Sequence, residues 1–252
     1  MSTQLIVGIH AVRTALKHGV RRVERLWVDA ARRDRRLRQL LDEARAGGLQ
    51  PEVSDKAALD RMTGGANHQG IVALGQMPAS LDEAALDELL ADLAVPPLLL
   101  VLDGVTDPHN LGACLRSADA AGAHAVIAPR DRAGGLTPIV CKVASGAAET
   151  LPFVQVTNLA RTLRHLQQKH RVFVIGAAGE AGTDLYQTDL TGALALVMGA
   201  EGPGLRRLTR ETCDQLARLP MHGQVESLNV SVATGICLYE ALRQRAGGSK
   251  SR

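Results

Sequence analysis

The feature that most constrains this chain is a series of short, continuous apolar runs: PLLLVLDGV at 97–105, HAVIAP at 124–129, VFVIGAA at 172–178, LALVMGAEG at 194–202 and QLARLPM at 215–221. None alternates apolar with polar residues, so each predicts a strand buried on both faces. Helical patterns near 110–121, 159–170, 206–215 and 230–245 lie between them. Buried strands alternating with helices predict an α/β fold with a parallel sheet. Sheets of this kind take ligands at the carboxyl ends of their strands, and the polar turns of this chain fall at those ends.

The first 77 residues carry a second pattern. VERLWVDA, a helix from about Arg33 to Ala46, LQPEVS and HQGIVALG describe a separate small α/β domain. Residues 78–96 form an acidic connector, partly helical, with Ser80 as its cap; residues 97–245 form the larger domain; AGGSKSR at 246–252 reads as a disordered tail. Charge follows the same division. Residues 1–77 hold 13 Lys and Arg against 8 Asp and Glu, whereas 78–96 hold none against 5. Five of the arginines (Arg32, Arg33, Arg35, Arg36 and Arg38) sit in RRDRRLR, which reads either as a phosphate-binding run or as a solvated helix face.

Composition narrows the chemistry. Four cysteines lie 27, 72 and 24 residues apart, so no zinc knuckle or compact disulfide framework arises from neighbours, and reduced thiols without a metal are expected. The longest apolar stretch, 94–102, contains two prolines and is far short of the roughly 20 residues needed to span a bilayer; no signal peptide opens the chain, so a cytoplasmic location is expected. Only five aromatics occur, too few for a base-stacking platform.

Three loops concentrate polar residues. In LDGVTDPHNLGACLR, Asn110 is placed to cap a helix, with Arg116 six residues on. In LVMGAEGPGLR, Gly199, Gly202 and Gly204 surround Glu201; this is neither a P-loop, since no Lys-Ser/Thr pair follows, nor a GxGxxG fingerprint, so a nicotinamide-dependent oxidoreductase is not supported. In LPMHGQVESLNVSVATGICLYE, Ser227 and Asn229 precede a helix whose Ser231, Ala233, Thr234 and Gly235 allow close packing. Singly, each loop is also compatible with ordinary capping or a structural turn.

Together, NLGACLR, LVMGAEGPG and LPMHGQVESLNVSVATGICLYE resemble, in order and separation, the three signature motifs of the SpoU family of ribose 2'-O-methyltransferases in the SPOUT superfamily. IVGIHAVRTAL and NHQGIVA resemble that family's L30e-like RNA-binding domain. The resemblance implies a trefoil knot in the C-terminal domain, S-adenosylmethionine as methyl donor, and a homodimer whose active site draws on both subunits. It implies Asn110, Arg116, Glu201, Ser227 and Asn229 as the catalytic cluster, with Asn110, Asn229 and Glu201 steadying Arg116 or the ribose. Gly199, Gly202, Leu219, Met221 and Leu228 would hold the donor. RNA contacts are expected from Arg32, Arg33, Arg35, Arg36, His68 and Gln69. Glu226 departs from the small residues expected before Leu228. The implied substrate is a guanosine ribose in the peptidyl-transferase loop of 23S rRNA, free or in a large-subunit precursor, with no metal and no membrane. A tRNA ribose methyltransferase and a non-catalytic RNA-binding assembly factor are the alternatives.

Overall fold

The structure, a computed structural model, describes residues 3–17, 23–32, 34–76 and 78–248. Its contacts form two units.

The first unit begins with β1 (Thr3–Val7), α1 (Ile9–Lys17), β2 (Val23–Asp29), α2 (Arg35–Ala46), β3 (Glu52–Ser54), α3 (Lys56–Thr63) and β4 (Ile71–Gln76). Its sheet has the order β1-β4-β2-β3, in which β4 runs antiparallel to both neighbours and β2 pairs parallel with β3. Apolar side chains of α1 and α2, among them Val12, Leu16, Leu37 and Leu40, cover one face of this sheet over Leu26, Ile71 and Ala73. Asp34 and Asp55 cap α2 and α3 through their carboxylates, which is why these helices start where they do.

The second unit starts at Ser80 with α4 (Glu83–Ala91), followed by β5 (Leu98–Asp103), α5 (Pro108–Ala120) and β6 (Ala125–Pro129). The acidic connector is therefore a packed helix, with Leu86 and Leu90 buried in the core of the second unit. Its cap is Asp82 rather than Ser80, whose hydroxyl instead donates to Gln155 Oε1 at 3.0 Å.

Residues 136–150, which carry α6 (Pro138–Ala144) and α7 (Ala147–Thr150), pack with the first unit, so the larger domain is not one continuous segment. Gly146 permits this approach: a Cβ there would lie 2.6 Å from the Thr14 hydroxyl of α1. The chain then returns to the second unit as β7 (Phe153–Val156), α8 (Leu159–His170), β8 (Phe173–Ala177), β9 (Thr183–Asp184), β10 (Leu194–Gly199), α9 (Arg207–Thr212), β11 (Gln215–Arg218) and α10 (Val230–Gly248). Helix α9 is shorter than the sequence pattern suggests, because Gln215 already belongs to β11. Helix α10 is longer: Ala246, Gly247 and Gly248 continue it where a disordered tail was expected, and 249–252 lie outside the described residues.

The seven strands of the second unit are all parallel, in the order β7-β6-β5-β10-β8-β11-β9. Every residue of β5 and β6 is buried, as unbroken apolar runs require. The chain winds outward from β5 to β7 on one side and returns to the other side of β5, creating a switch in strand order between β5 and β10. Crevices for ligands open at the carboxyl ends of strands beside such a switch.

Candidate active site

Strand β10 ends at Gly199, in register opposite Asp103 at the end of β5. A Cβ on Gly199 would lie 2.3 Å from the Gly204 carbonyl carbon and 2.5 Å from the Leu205 nitrogen, so only glycine lets the following turn fold back onto its own strand. Ala200 and Gly204 close that turn by exchanging backbone hydrogen bonds of 3.2 and 3.0 Å. The fully buried Asp103 fastens its far end, accepting the Arg206 backbone N–H at 2.9 Å on Oδ2 and the Arg206 guanidinium on Oδ1. A carboxylate taken out of water in this way needs such partners.

The start of α5 is capped by Asp107, which accepts the Asn110 backbone N–H at 2.8 Å, with Pro108 in the first turn. Asn110 is thus not the cap, and its carboxamide is free for other work. It donates to Glu201 Oε1 at 3.1 Å and accepts from Asn229 Nδ2 at 2.9 Å, while Asn229 also donates to Glu201 Oε1 at 2.7 Å. The Asn229 oxygen caps α10, accepting from the Ser231 backbone at 2.9 Å and the Ser231 hydroxyl at 2.6 Å. One hydrogen-bonded triangle therefore joins three loops whose members lie up to 119 residues apart. Close packing of α10 on α5, where Cys114 Sγ meets the buried Thr234 hydroxyl at 3.5 Å, sets the spacing.

Beside the triangle lies a cavity of about 870 Å³, within the range typical of ligand pockets. Gly199, Gly202, Leu219, Met221, Ser227 and Leu228 all line it, so the structure brings together every donor-binding candidate and Ser227. Acidic groups predominate in its wall: Glu180, Glu201 and Glu226 stand against Arg210, which is itself paired with Glu180. Among the described residues, the backbone of 219–228 makes no hydrogen bond, leaving its N–H and C=O groups available to a ligand.

Arg116 lies exposed on α5 and makes no hydrogen bond or ion pair among the described residues. The expected grip of Glu201 on Arg116 does not occur within one chain; Glu201 Oε1 accepts instead from the two asparagines. In the first unit, Arg35 and Arg36 are exposed in the first turn of α2, and Arg32 pairs with Asp34 at 2.6 Å; Arg33 lies outside the described residues. His68 does not present its ring as an RNA contact. His68 is buried, accepting the Gly70 N–H on Nδ1 at 3.0 Å and meeting Asp60 through Nε2 at 3.1 Å, and the Gln69 side-chain oxygen accepts the Ile9 N–H at 3.2 Å. His68 thus holds the turn before β4 instead of facing a ligand, whereas Gln69 ties that turn to the start of α1 and remains exposed.

The Asp103–Arg206 clasp was not anticipated, although a lone carboxylate ending an apolar strand was its visible sign. No metal-ligand cluster lines the cavity; among the described residues, the one group with converging ligand atoms is Asp87, His165 and His170, on α4 and α8.

A parallel α/β unit with a glycine turn, an Asn–Glu–Asn triangle and a ligand-sized cavity at its carboxyl edge, joined to a small α/β unit, defines the class: a two-part ligand-binding enzyme scaffold. The chain belongs to the SpoU rRNA methylase family. Residues 97–239 match that family, and residues 5–80 match the RNA 2'-O ribose methyltransferase substrate-binding domain. The chain is similar to the 23S rRNA (guanosine-2'-O-)-methyltransferase RlmB of Ralstonia nicotianae, 58% identical over 245 residues covering 97% of each chain. It is also similar to RlmB of Haemophilus influenzae, 58% identical over 247 residues covering 98% of this chain and 100% of that one. Among solved structures, it resembles the SpoU methyltransferase AviRb of Streptomyces viridochromogenes in complex with AdoMet, with TM-score 0.81 and 27% identity, covering 98% of this chain and 92% of that one. No described helix is long and apolar enough to cross a membrane.

Proposed function

We propose that this protein methylates the ribose 2'-oxygen of a guanosine in the peptidyl-transferase loop of 23S rRNA, in the cytoplasm, as a homodimer using S-adenosylmethionine. The observation that carries the reading is the Asn110–Glu201–Asn229 triangle at the rim of the cavity, in a chain 58% identical along nearly its whole length to RlmB proteins.

The cavity suits this donor on its own chemistry. Its unspent backbone groups at 219–228 match the hydrogen-bonding edges of an adenine, and its excess of carboxylates suits a cation. Gly199, Gly202, Leu219, Met221 and Leu228 would hold the donor. When bound, S-adenosylmethionine supplies an electrophilic methyl group on a positively charged sulfur.

The protein's task is to align the sugar hydroxyl and stabilise its developing negative charge. A guanidinium is already protonated at neutral pH and does not take that proton. Arg116 instead grips the adjacent phosphate and steadies the oxygen, while water or a phosphate oxygen receives the proton. Its exposed position without a partner among the described residues of its own chain supports service to the active site of a second subunit. Glu201 Oε2, which the triangle leaves over, is the natural acceptor for the incoming guanidinium. Asn110 and Asn229 orient Glu201 and the ribose, and Ser227 orients the loop. Val232, Tyr239 and Leu242 leave an exposed apolar stripe on α10, which supports a dimer contact there. A knotted path through the 199–205 and 219–229 loops is part of the same proposal.

In the first unit, basic residues at a helix N-terminus are disfavoured by the helix dipole unless an anion binds there. On α2 the Asp34 carboxylate already fills that place, so it is the exposed charge of Arg35 and Arg36 that suits them to a phosphate contact.

Purified protein incubated with methyl-labelled S-adenosylmethionine tests the reading. Label is expected in 23S rRNA at a ribose and not in tRNA. Label in tRNA would select the tRNA enzyme, and failure to bind the donor in calorimetry would leave a non-catalytic RNA-binding factor.

A further inference from the structure

We propose that Asp87, His165 and His170 form a site for one divalent transition-metal ion of the zinc class, which fastens α4 to α8 apart from the catalytic cavity. His165 Nε2 lies 2.8 Å and His170 Nε2 2.7 Å from the same Asp87 oxygen, Oδ1. The two rings stand 72° apart with centroids separated by 5.9 Å, so they approach that oxygen from different sides. All three potential ligand atoms lie within 4.8 Å of one another.

Helical spacing alone would not bring the histidines together, because residues five apart point in different directions around an α-helix. His170 is the last residue of α8, and Arg171 beyond it turns into the left-handed region at φ +53°. Asp87 comes from the helix opposite, between the buried Leu86 and Leu90, so its position is fixed by the core. Two neighbouring ligands on a tetrahedral zinc, with bonds of roughly 2.0–2.1 Å, stand about 3.3 Å apart. Admitting an ion therefore requires each ring to withdraw from Oδ1 by about half an ångström, and the two Nε2 atoms, within 4.8 Å of each other, to stand about 3.3 Å apart.

Lys169 is the competing cation, but its Nζ lies 2.8 Å from Oδ2, the other carboxylate oxygen. That side chain is 55% exposed and can move into solvent. Both imidazoles would bind as the Nδ1–H tautomer, offering Nε2 lone pairs. Side-chain exposures of 47% at His165 and 11% at His170 leave the His165 side open to water as a fourth ligand. Two imidazoles and one carboxylate favour Zn²⁺, Co²⁺, Ni²⁺ or Cu²⁺ over Mg²⁺ or Ca²⁺.

The test uses tag-free, chelator-stripped full-length protein titrated with Zn²⁺ in a calorimeter, and with Co²⁺ by visible absorbance. One equivalent of Zn²⁺ is expected to bind, to raise the melting temperature, and to give a Co²⁺ spectrum without thiolate charge-transfer bands. His165→Ala, at the most exposed ligand and so compatible with folding, should weaken binding at least about tenfold. It should also abolish the metal-dependent rise in melting temperature while leaving metal-free methyl transfer unchanged. Cys213→Ser should bind like the wild type. Absence of saturable Zn²⁺ uptake, undiminished binding by His165→Ala, or loss of binding in Cys213→Ser would each overturn the proposal, whatever the outcome of the methylation assays.

Discussion

Gly199 and Gly202 occupy the same turn for different physical reasons, and replacing each by alanine separates them. At Gly199 the added Cβ meets the Gly204 carbonyl carbon at 2.3 Å, about 1.1 Å inside ordinary van der Waals contact near 3.4 Å. Backbone cannot yield as a flexible side chain does, so the 200–204 turn must open. That breaks the Ala200–Gly204 pair of hydrogen bonds, at about 0.5–1.5 kcal/mol each, on top of an overpacking cost of about 1–3 kcal/mol. Gly199→Ala is therefore expected to lose about 2–6 kcal/mol of stability. At Gly202 nothing lies within 4 Å of the added atom, and only the φ of +83° opposes it, at about 1–2 kcal/mol. Asparagine tolerates that region, so Gly202→Asn should recover most of the loss, whereas no side chain rescues position 199. Urea denaturation gives the stabilities, and calorimetry with S-adenosylmethionine reads the cavity. Gly199→Ala should bind the donor far more weakly than Gly202→Asn. Equal urea midpoints and equal donor affinities for wild type and Gly199→Ala would refute the reasoning.

Arg116→Lys keeps the charge but loses the planar fork, and should lower kcat about 10²-fold with donor affinity unchanged; nearly full turnover would exclude gripping by the guanidinium. If Arg116 serves the other subunit, heterodimers of an Arg116→Ala chain with a Gly199→Ala chain should regain one working site, and absence of any recovery in subunit mixing would place the residue in its own chain's site. Burial pushes the Glu149 carboxyl from 4.5 up to about 7, and its Oε2 has no hydrogen-bond partner among the described residues. A raised carboxyl pKa leaves stability complete below about pH 4.5 and removes about 3 kcal/mol as pH rises through 7. Glu149→Gln should flatten that fall, seen as urea midpoints that match the wild type at pH 4 and exceed it at pH 8. Glu240, held down to about 2 by hydrogen bonds from Arg243 and then Gln244, acts in the opposite sense: its contribution is present above about pH 4.5 and is lost as pH falls through 2.

The parallel sheet was legible because its strands are buried on both faces and leave unbroken apolar runs, as in LLLVLD of β5. The site was legible as three separate loops, and each loop alone fitted a structural reading. Their meeting was implied by family resemblance, not by spacing, because Asn110 and Asn229 come together only through the packing of α5 on α10. The role of Asn110 was misread for a local reason: Pro108 places the helix start one residue after Asp107, which takes the capping position. Other contacts left no local sign of their partner. Asp103 and Arg206 are 103 residues apart, Asp87 and His165 are 78 apart, and the placement of 136–150 with the first unit depends on the absent side chain of Gly146. His68 is expected as an RNA contact because nothing in GGANHQG shows that its ring closes the turn onto Gly70.

Mass-spectrometric mapping of ribose methylation in ribosomal and transfer RNA, from cells with and without this protein, tests the central claim most directly. The account predicts that a single guanosine in the 23S peptidyl-transferase loop loses its 2'-O-methyl group, and that expression of the intact chain, but not of Arg116→Ala, restores it. An unchanged 23S rRNA, or a methyl group lost from tRNA instead, would contradict it.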